Sequence, residues 1–289
     1  MVRESTHIYL AYKLFGKLVC SKEKTEELRK IIRKNKEYYY LGAIFPDIYH
    51  YFPNDKIRRI SEKLHETNHL ELKKILLDII FDIKDLKEED ERNKELAFIF
   101  GIMTHIVFDK HFHKVIDGHI KYLKKENHTI NPLKEHLYIE TYIDIKIKGC
   151  NNIEKSIKPK LIKELRINRF LNKKFNITSK VTYNCLRNLV ILNHLFRKKS
   201  VHKLAKLFEN LKLIKPAYMS MFYHEINENK YHHLFNEEIE YTDVDNLVSR
   251  IKFEDIKNGS LEDAKTKVTH IYNYVYGKIT EKEFESNFY

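Results

Sequence analysis

The stretch Leu96-Ala-Phe-Ile-Phe-Gly-Ile-Met-Thr-His105-Ile-Val-Phe-Asp109-Lys-His-Phe-His113 decides how this chain is read. It is apolar and free of proline, yet it carries His105, Asp109 and His113 at every fourth position. An α-helix turns ~100° per residue, so positions i, i+4 and i+8 drift only ~80° around the axis. The three side chains therefore lie along one helix face. The same spacing returns in His136-x-x-x-Glu140-x-x-x-Asp144. Two such faces meeting in a helical core would line a metal site with nitrogen and oxygen. Burying several ionisable groups without a countercharge is expensive, and a divalent cation supplies that countercharge. His111 sits ~120° from His105 around the helix and is left out of the set.

Outward from these runs, the chain reads as all-α. Its 289 residues include 7 glycines and 5 prolines, too few breakers for a turn-rich sandwich or barrel. Leucine, isoleucine, lysine and glutamate abound, and three of these four are strong helix formers. Helices are expected over 6–19, 24–33, 38–43, 70–84, 95–113 and 133–148, the last opened by Pro132 and ended near Gly149. Pro46 disfavours helix before it and places Asp47 at a rigid corner. Residues 53–55 read as a loop, and Gly118 with the polar stretch 124–131 reads as a long connection. Further amphipathic candidates lie at 161–170, 182–195 and 201–211. Thr280-Glu-Lys-Glu283 resembles a capping box and Ser260-Leu-Glu-Asp263 a looser one. The expected organisation is one multi-helix domain, with a metal-binding core in 1–149 and a helical region 150–289 packed on it.

The net charge of +12 admits a polyanionic or phosphorylated partner, or an anionic membrane surface. The basic residues are spread along the chain, however, which also suits lysine-rich solvated helix faces. The dense cluster Arg197-Lys198-Lys199 closes an apolar helix, the ordinary place for cations. Cys20, Cys150 and Cys185 are far apart with no Cys-x-x-Cys pair, which argues against a cysteine zinc site and a disulfide framework. Lys13 and Lys17 interrupt the N-terminal apolar stretch, so no signal peptide is read. The apolar stretch 96–108 is too short to span a bilayer. A soluble, cytoplasmic protein is expected.

Softer ligand candidates are His7, Asp47 and His65; His69, four residues beyond His65, could replace or join it. The order His7, Gly-Ala-Ile-Phe-Pro-Asp47, Leu-His65, Phe-Gly-Ile-Met-Thr-His105-Ile-Val-Phe-Asp109-x-x-x-His113 and His136-x-x-x-Glu140 resembles the zinc-dependent phospholipase C superfamily. That group includes bacterial phospholipases C, secreted single-strand zinc nucleases and the catalytic part of glycosylphosphatidylinositol-specific phospholipase D. The resemblance covers about 1–148. It implies an all-α fold and a cluster of two or three zinc ions. It also implies that His65, His105 and Asp109 hold one zinc with Asp47 beside it, and that Asp109 bridges to a second. His113, His136 and Glu140 would hold another, and His7 would belong to the remaining site. Two departures stand out. The step from Asp109 to His113 is shorter than in the bacterial enzymes. Secreted members also ligate one zinc through an N-terminal tryptophan, and this chain has no tryptophan.

The expected activity is phosphodiester hydrolysis, phospholipase C-like, by metal-activated hydroxide, with Asp47 as the catalytic base or orienting group. The expected substrate is a phospholipid. A single-strand nuclease or other phosphoesterase on the same scaffold is the first rival; the net charge suits it, but no base-stacking platform is visible among the aromatics. A non-catalytic helical metalloprotein is the second. A His-Asp phosphohydrolase lacks its dipeptide here. A di-iron bundle fits only Glu4-x-x-His7, Glu62-x-x-His65 and Glu66-x-x-His69, not the stronger runs. Asp144, one turn after Glu140, is offered as an outer or alternate ligand.

Overall fold

Helix α5 (Glu89–Glu126) is the spine of the molecule, 38 residues long, and the elements of 4–84, the helix 132–146, the strand 238–242 and the helix 253–275 are laid against it. The computed structural model describes residues 3–20, 26–147, 156–227, 230–236, 238–243 and 245–288. Gly149, Cys150 and the boundary between 149 and 150 lie outside them. In chain order the remaining elements are α1 (Glu4–Cys20), α2 (Glu26–Lys34), α3 (Lys36–Ile44), a 3-10 helix Phe45–Tyr51, α4 (Asp55–Lys84) and α6 (Pro132–Lys146). There follow a 3-10 helix Pro159–Glu164, α7 (Ile167–Phe175), α8 (Ser179–Phe196), α9 (Lys199–Asn210) and α10 (Pro216–Met219). After a 3-10 turn Tyr223–Glu225 come α11 (His233–Asn236), the strands β1 (Glu238–Thr242) and β2 (Val248–Lys252), α12 (Phe253–Val275) and α13 (Glu281–Phe288). The fold is all-α, with one small antiparallel hairpin among the described residues, Glu238 pairing with Lys252 and Thr242 with Val248. One contiguous apolar core joins residues from Ile8 to Phe288. Among the described residues no helix is long and apolar enough to cross a membrane.

The centre of the fold is a glycine contact. A side chain on Gly42 would strike the Phe98 carbonyl, and one on Gly101 would strike the Tyr39 carbonyl. Helices α3 and α5 thus approach backbone to backbone, as only glycine permits. Gly118 plays the same part further along α5: a Cβ there would come within 2.7 Å of the Thr242 carbonyl oxygen on β1. This corrects the expected break at Gly118, which serves close packing inside a continuous helix. The helix ends only at Glu126.

Helix α4 also starts fifteen residues before the expected 70–84 helix. Asn54 caps it, its side chain accepting from the amides of Lys56 (2.9 Å) and Ile57 (3.4 Å). Ile60 and Leu64 supply a buried stripe that the surrounding charges obscure in the sequence. The Thr280–Glu283 capping box forms: the Thr280 amide donates to Glu283 (2.8 Å) and the Glu283 amide to Thr280 Oγ1 (3.3 Å). Ser260 starts no helix. It lies inside α12 and donates to the Lys257 carbonyl (2.8 Å).

Candidate metal centre

Five elements converge on Asp109. His7 comes from α1, Asp47 from the 3-10 turn at Pro46, His65 and His69 from α4, His105, Asp109 and His113 from α5, and His136 and Glu140 from α6. Asp109 is buried, and its two oxygens face different imidazoles. Oδ1 lies 3.3 Å from His7 Nε2 and 3.5 Å from His113 Nε2. Oδ2 lies 3.2 Å from His105 Nε2, 3.4 Å from His65 Nε2 and 3.6 Å from His69 Nε2. Asp47 adds 3.1 Å to His65, 3.7 Å to His105 and 4.0 Å to His7. A second set lies towards α6, where His136 Nε2 is 2.9 Å from Glu140 Oε1 and the His113 and His136 rings are 5.3 Å apart. The structure thus brings all eight sequence candidates together. With His69 they compose four groups able to hold an ion: His7-His105-Asp109, Asp47-His65-His105, His65-His69-Asp109 and His113-His136-Glu140.

The residues fit a cation on their own chemistry. Both nitrogens of His7, both oxygens of Asp47 and of Asp109, and Nε2 of His113 are buried without a hydrogen-bond partner. So many orphaned polar atoms are costly in a protein interior. Ligands each ~2.0–2.2 Å from a tetrahedral zinc stand ~3.3–3.5 Å from one another, which is the spacing seen around Asp109.

The backbone fixes which ring nitrogen points inward. His105 Nδ1 donates to the Ala43 carbonyl (2.9 Å), a contact made possible by the Gly42–Gly101 approach. His65 Nδ1 donates to Ser61 O (2.7 Å) and His69 Nδ1 to Leu64 O (3.0 Å). A nitrogen that donates outward leaves Nε2 with its lone pair facing the cluster. His69 takes φ 61°, an unfavourable left-handed conformation for a histidine inside a helix. Strain at such a position marks a local constraint worth more than helix regularity.

The imidazoles and carboxylates of the cluster shift one another's protonation. Burial opposes charge on His65, but the neighbouring carboxylates of Asp109 and Asp47 prevail and raise it to about 10. His113 is likewise raised to about 9 against burial, through Asp109 and Asp117. Burial also works against the charged forms of Asp47 and Asp109, yet the neighbouring imidazoles hold both below the ordinary carboxylate range. His69 and His50 are pushed down by burial, to about 3 and about 4.

Asp117 was missed in the sequence. It accepts from His136 Nδ1 (3.0 Å) and lies 3.8 Å from His113 Nδ1. The signal was present, since Asp117 extends the four-residue row 105, 109, 113 by one more turn. Asp144, the sequence candidate for that kind of role, does not fill it. It accepts from Thr6 Oγ1 (2.8 Å) and from Tyr223, with Arg197 at 3.8 Å, and so clamps α1, which carries His7, onto α6. His111 faces away, paired with Asp263 at 3.2 Å.

Two openings reach the cluster. A cleft of about 1200 Å³ has Asp47, His136 and Glu140 in its wall, with Ile120, Leu133, Leu137 and Ile191 among its apolar lining. Glu4 also lines it; it is buried, with Oε2 unpartnered, and burial pushes its carboxyl up to about 6. A smaller opening of about 450 Å³ is lined by His65, His69, Asp109 and His113 beside Lys110, Lys114 and Lys121.

The family profile described as zinc dependent phospholipase C matches residues 6–202. The chain belongs to that family. The match runs well past residue 148, where the resemblance visible in the motifs ends, and takes in α7 and α8. No curated protein and no solved structure matches the chain.

Proposed function

We propose that the protein is a zinc-dependent phosphodiester hydrolase of phospholipase C type, acting on a phospholipid. The observation that carries the reading is Asp109, buried, hydrogen-bond-free, and presenting each oxygen to a separate set of imidazoles. In this reading Asp47, His65, His105 and Asp109 hold one zinc, His113, His136 and Glu140 a second, and His7 with Asp109 completes a third position. His69 stands beside His65 as a further ligand. Bound zinc supplies Lewis acidity that polarises a phosphoryl oxygen and acidifies water. Asp47, whose carboxylate is ionised and reaches the cleft wall, orients the attacking water and accepts its proton. Asp117 holds the His136 ring in place through Nδ1. The apolar lining of the cleft suits the glycerol and acyl portion of a lipid better than a polar chain.

Metal analysis of the purified protein should find at least two zinc equivalents. Phospholipid cleavage should exceed cleavage of single-stranded DNA, and His105→Ala should abolish it. A metal-free protein, unchanged in stability by chelator, would sink the proposal. The reverse substrate preference would assign the scaffold to nuclease chemistry.

A further inference from the structure

Helix α9 is amphipathic, but its apolar stripe faces outward. Its inner side, with Ala205 buried and Val201 half-buried, packs on a small satellite cluster with Met219 and Phe222. Leu204, Leu207, Phe208 and Leu211 follow at i, i+3, i+4 and i+7, one continuous face, and are 52%, 53%, 38% and 60% exposed. Leu213 is 72% exposed. Such a stripe normally finds a partner.

The stripe is held in place. Helix α9 closes with the Lys212 amide donating to Glu209 O (2.8 Å) and the Leu213 amide to Phe208 O (2.9 Å). This is the Schellman arrangement, but its left-handed position, φ 58°, is Lys212 rather than glycine. The turn fixes Leu211 and Leu213 on the exposed side at a conformational cost.

Basic residues flank the stripe. Residues 197–215 contain Arg197 and six lysines against one carboxylate, Glu209. Lys199, Lys203 and Lys206 are exposed and, at ~100° per residue, run along one flank of the leucines.

We infer that α9 and its closing turn form an interfacial docking surface for an anionic phospholipid bilayer. Leucines flanked by lysines match an apolar layer beneath anionic headgroups. A second copy of the chain would set lysine rows against each other across a two-fold axis. A single nucleic-acid strand would use the lysines and leave the leucines in water. The helices flanking α9 in the chain reach the cleft: Ile191 on α8 and Tyr218 on α10 are exposed and line its wall. Docking would bring the cleft to the membrane, so the inference gives the proposed phospholipase its substrate source and rests on that reading for its purpose.

The full, metal-loaded chain is tested against phosphatidylcholine vesicles with and without about 30 mol % phosphatidylserine. Co-sedimentation should be at least ~10-fold stronger with phosphatidylserine. The chain has no tryptophan, so Leu207→Trp is a sole reporter whose emission should shift blue on those vesicles. The pair Leu207→Glu with Leu211→Glu, and separately Lys203→Glu with Lys206→Glu, should each weaken binding at least ~10-fold. Both pairs should keep their helical circular dichroism and their rate on the soluble diester bis(p-nitrophenyl) phosphate. Vesicle binding indifferent to both pairs overturns the inference. So does a leucine pair that changes only self-association, or a lysine pair that changes only binding to single-stranded DNA. Vesicle binding retained by a chain that cleaves no diester would count against the enzyme reading and leave the surface standing.

Discussion

The imidazoles around Asp109 and those around His136 share the same four-residue spacing but differ in depth. His7, His105, Asp47 and Asp109 are buried almost completely, whereas the His113 and His136 side chains are 25% and 19% exposed. The deep set is built by backbone. The α3–α5 glycine contact places the Ala43 carbonyl on His105, and α4 strains at His69 to turn another ring inward. The shallow set is built by a side chain, Asp117, which holds His136 from the edge of the cleft. Groups fixed by packed backbone resist reorganisation, while groups fixed by a half-exposed carboxylate exchange with solvent and substrate. The deep set is therefore expected to retain its metal tightly and the shallow set to exchange it.

The strongest way to break that contrast is Asp109→Asn. Asp109 serves both sides of the deep set and lies within reach of His113, so all metal equivalents should fall together in elemental analysis. Hydrolysis should drop on the order of 10³-fold or more. Retention of full metal content would refute a shared carboxylate. Glu140→Gln should act more locally, removing one equivalent and slowing hydrolysis on the order of 10²-fold, with the far-ultraviolet spectrum unchanged. Loss of both sets in that variant would erase the distinction between them. Asp117→Asn should weaken metal affinity at the shallow set alone, by ~10–100-fold in a competition titration with a chromophoric chelator.

The two sets together also predict a pH dependence for the chelated protein. His65 and His113 have folded-state values of about 10 and about 9, above the ordinary imidazole value. Their stabilisation is fully present below the unfolded value of ~6.5 and is lost as pH rises through the folded ones. The melting temperature of metal-free protein should therefore fall between neutral pH and pH ~10. Metal-loaded protein should lack that decline, because ligand binding needs the protons already gone. A metal-free melting temperature that rises over this range would contradict the raised imidazoles of His65 and His113. The smallest effect belongs to a site remote from both sets. Thr280→Ala removes half of a reciprocal cap and should cost about 1 kcal/mol, or ~1–2 °C in melting temperature, with no change in metal content.

Helical periodicity alone determined much of this protein. The apolar runs required helix, and the four-residue rows placed His105, Asp109 and His113 on one face and His136 with Glu140 on another, because 3.6 residues per turn leaves no other arrangement. The same geometry excluded His111 and could have included Asp117. The shortage of glycine and proline pointed to an all-α fold, and the Thr280–Glu283 box was legible because a cap is local. Only the tertiary structure decided the rest. Gly118 reads as a breaker until β1 is seen pressed against it, and the hairpin itself has few residues and no long alternating pattern. Charges hid the first half of α4, whose buried stripe matters only where it meets the core. Asp144 has the spacing of a ligand but packs against Thr6 and Tyr223 instead. Whether two faces meet, which carbonyl pins which ring, and which leucines stay in water depend on how helices pack, and a one-dimensional repeat carries the direction of a side chain but not its neighbour.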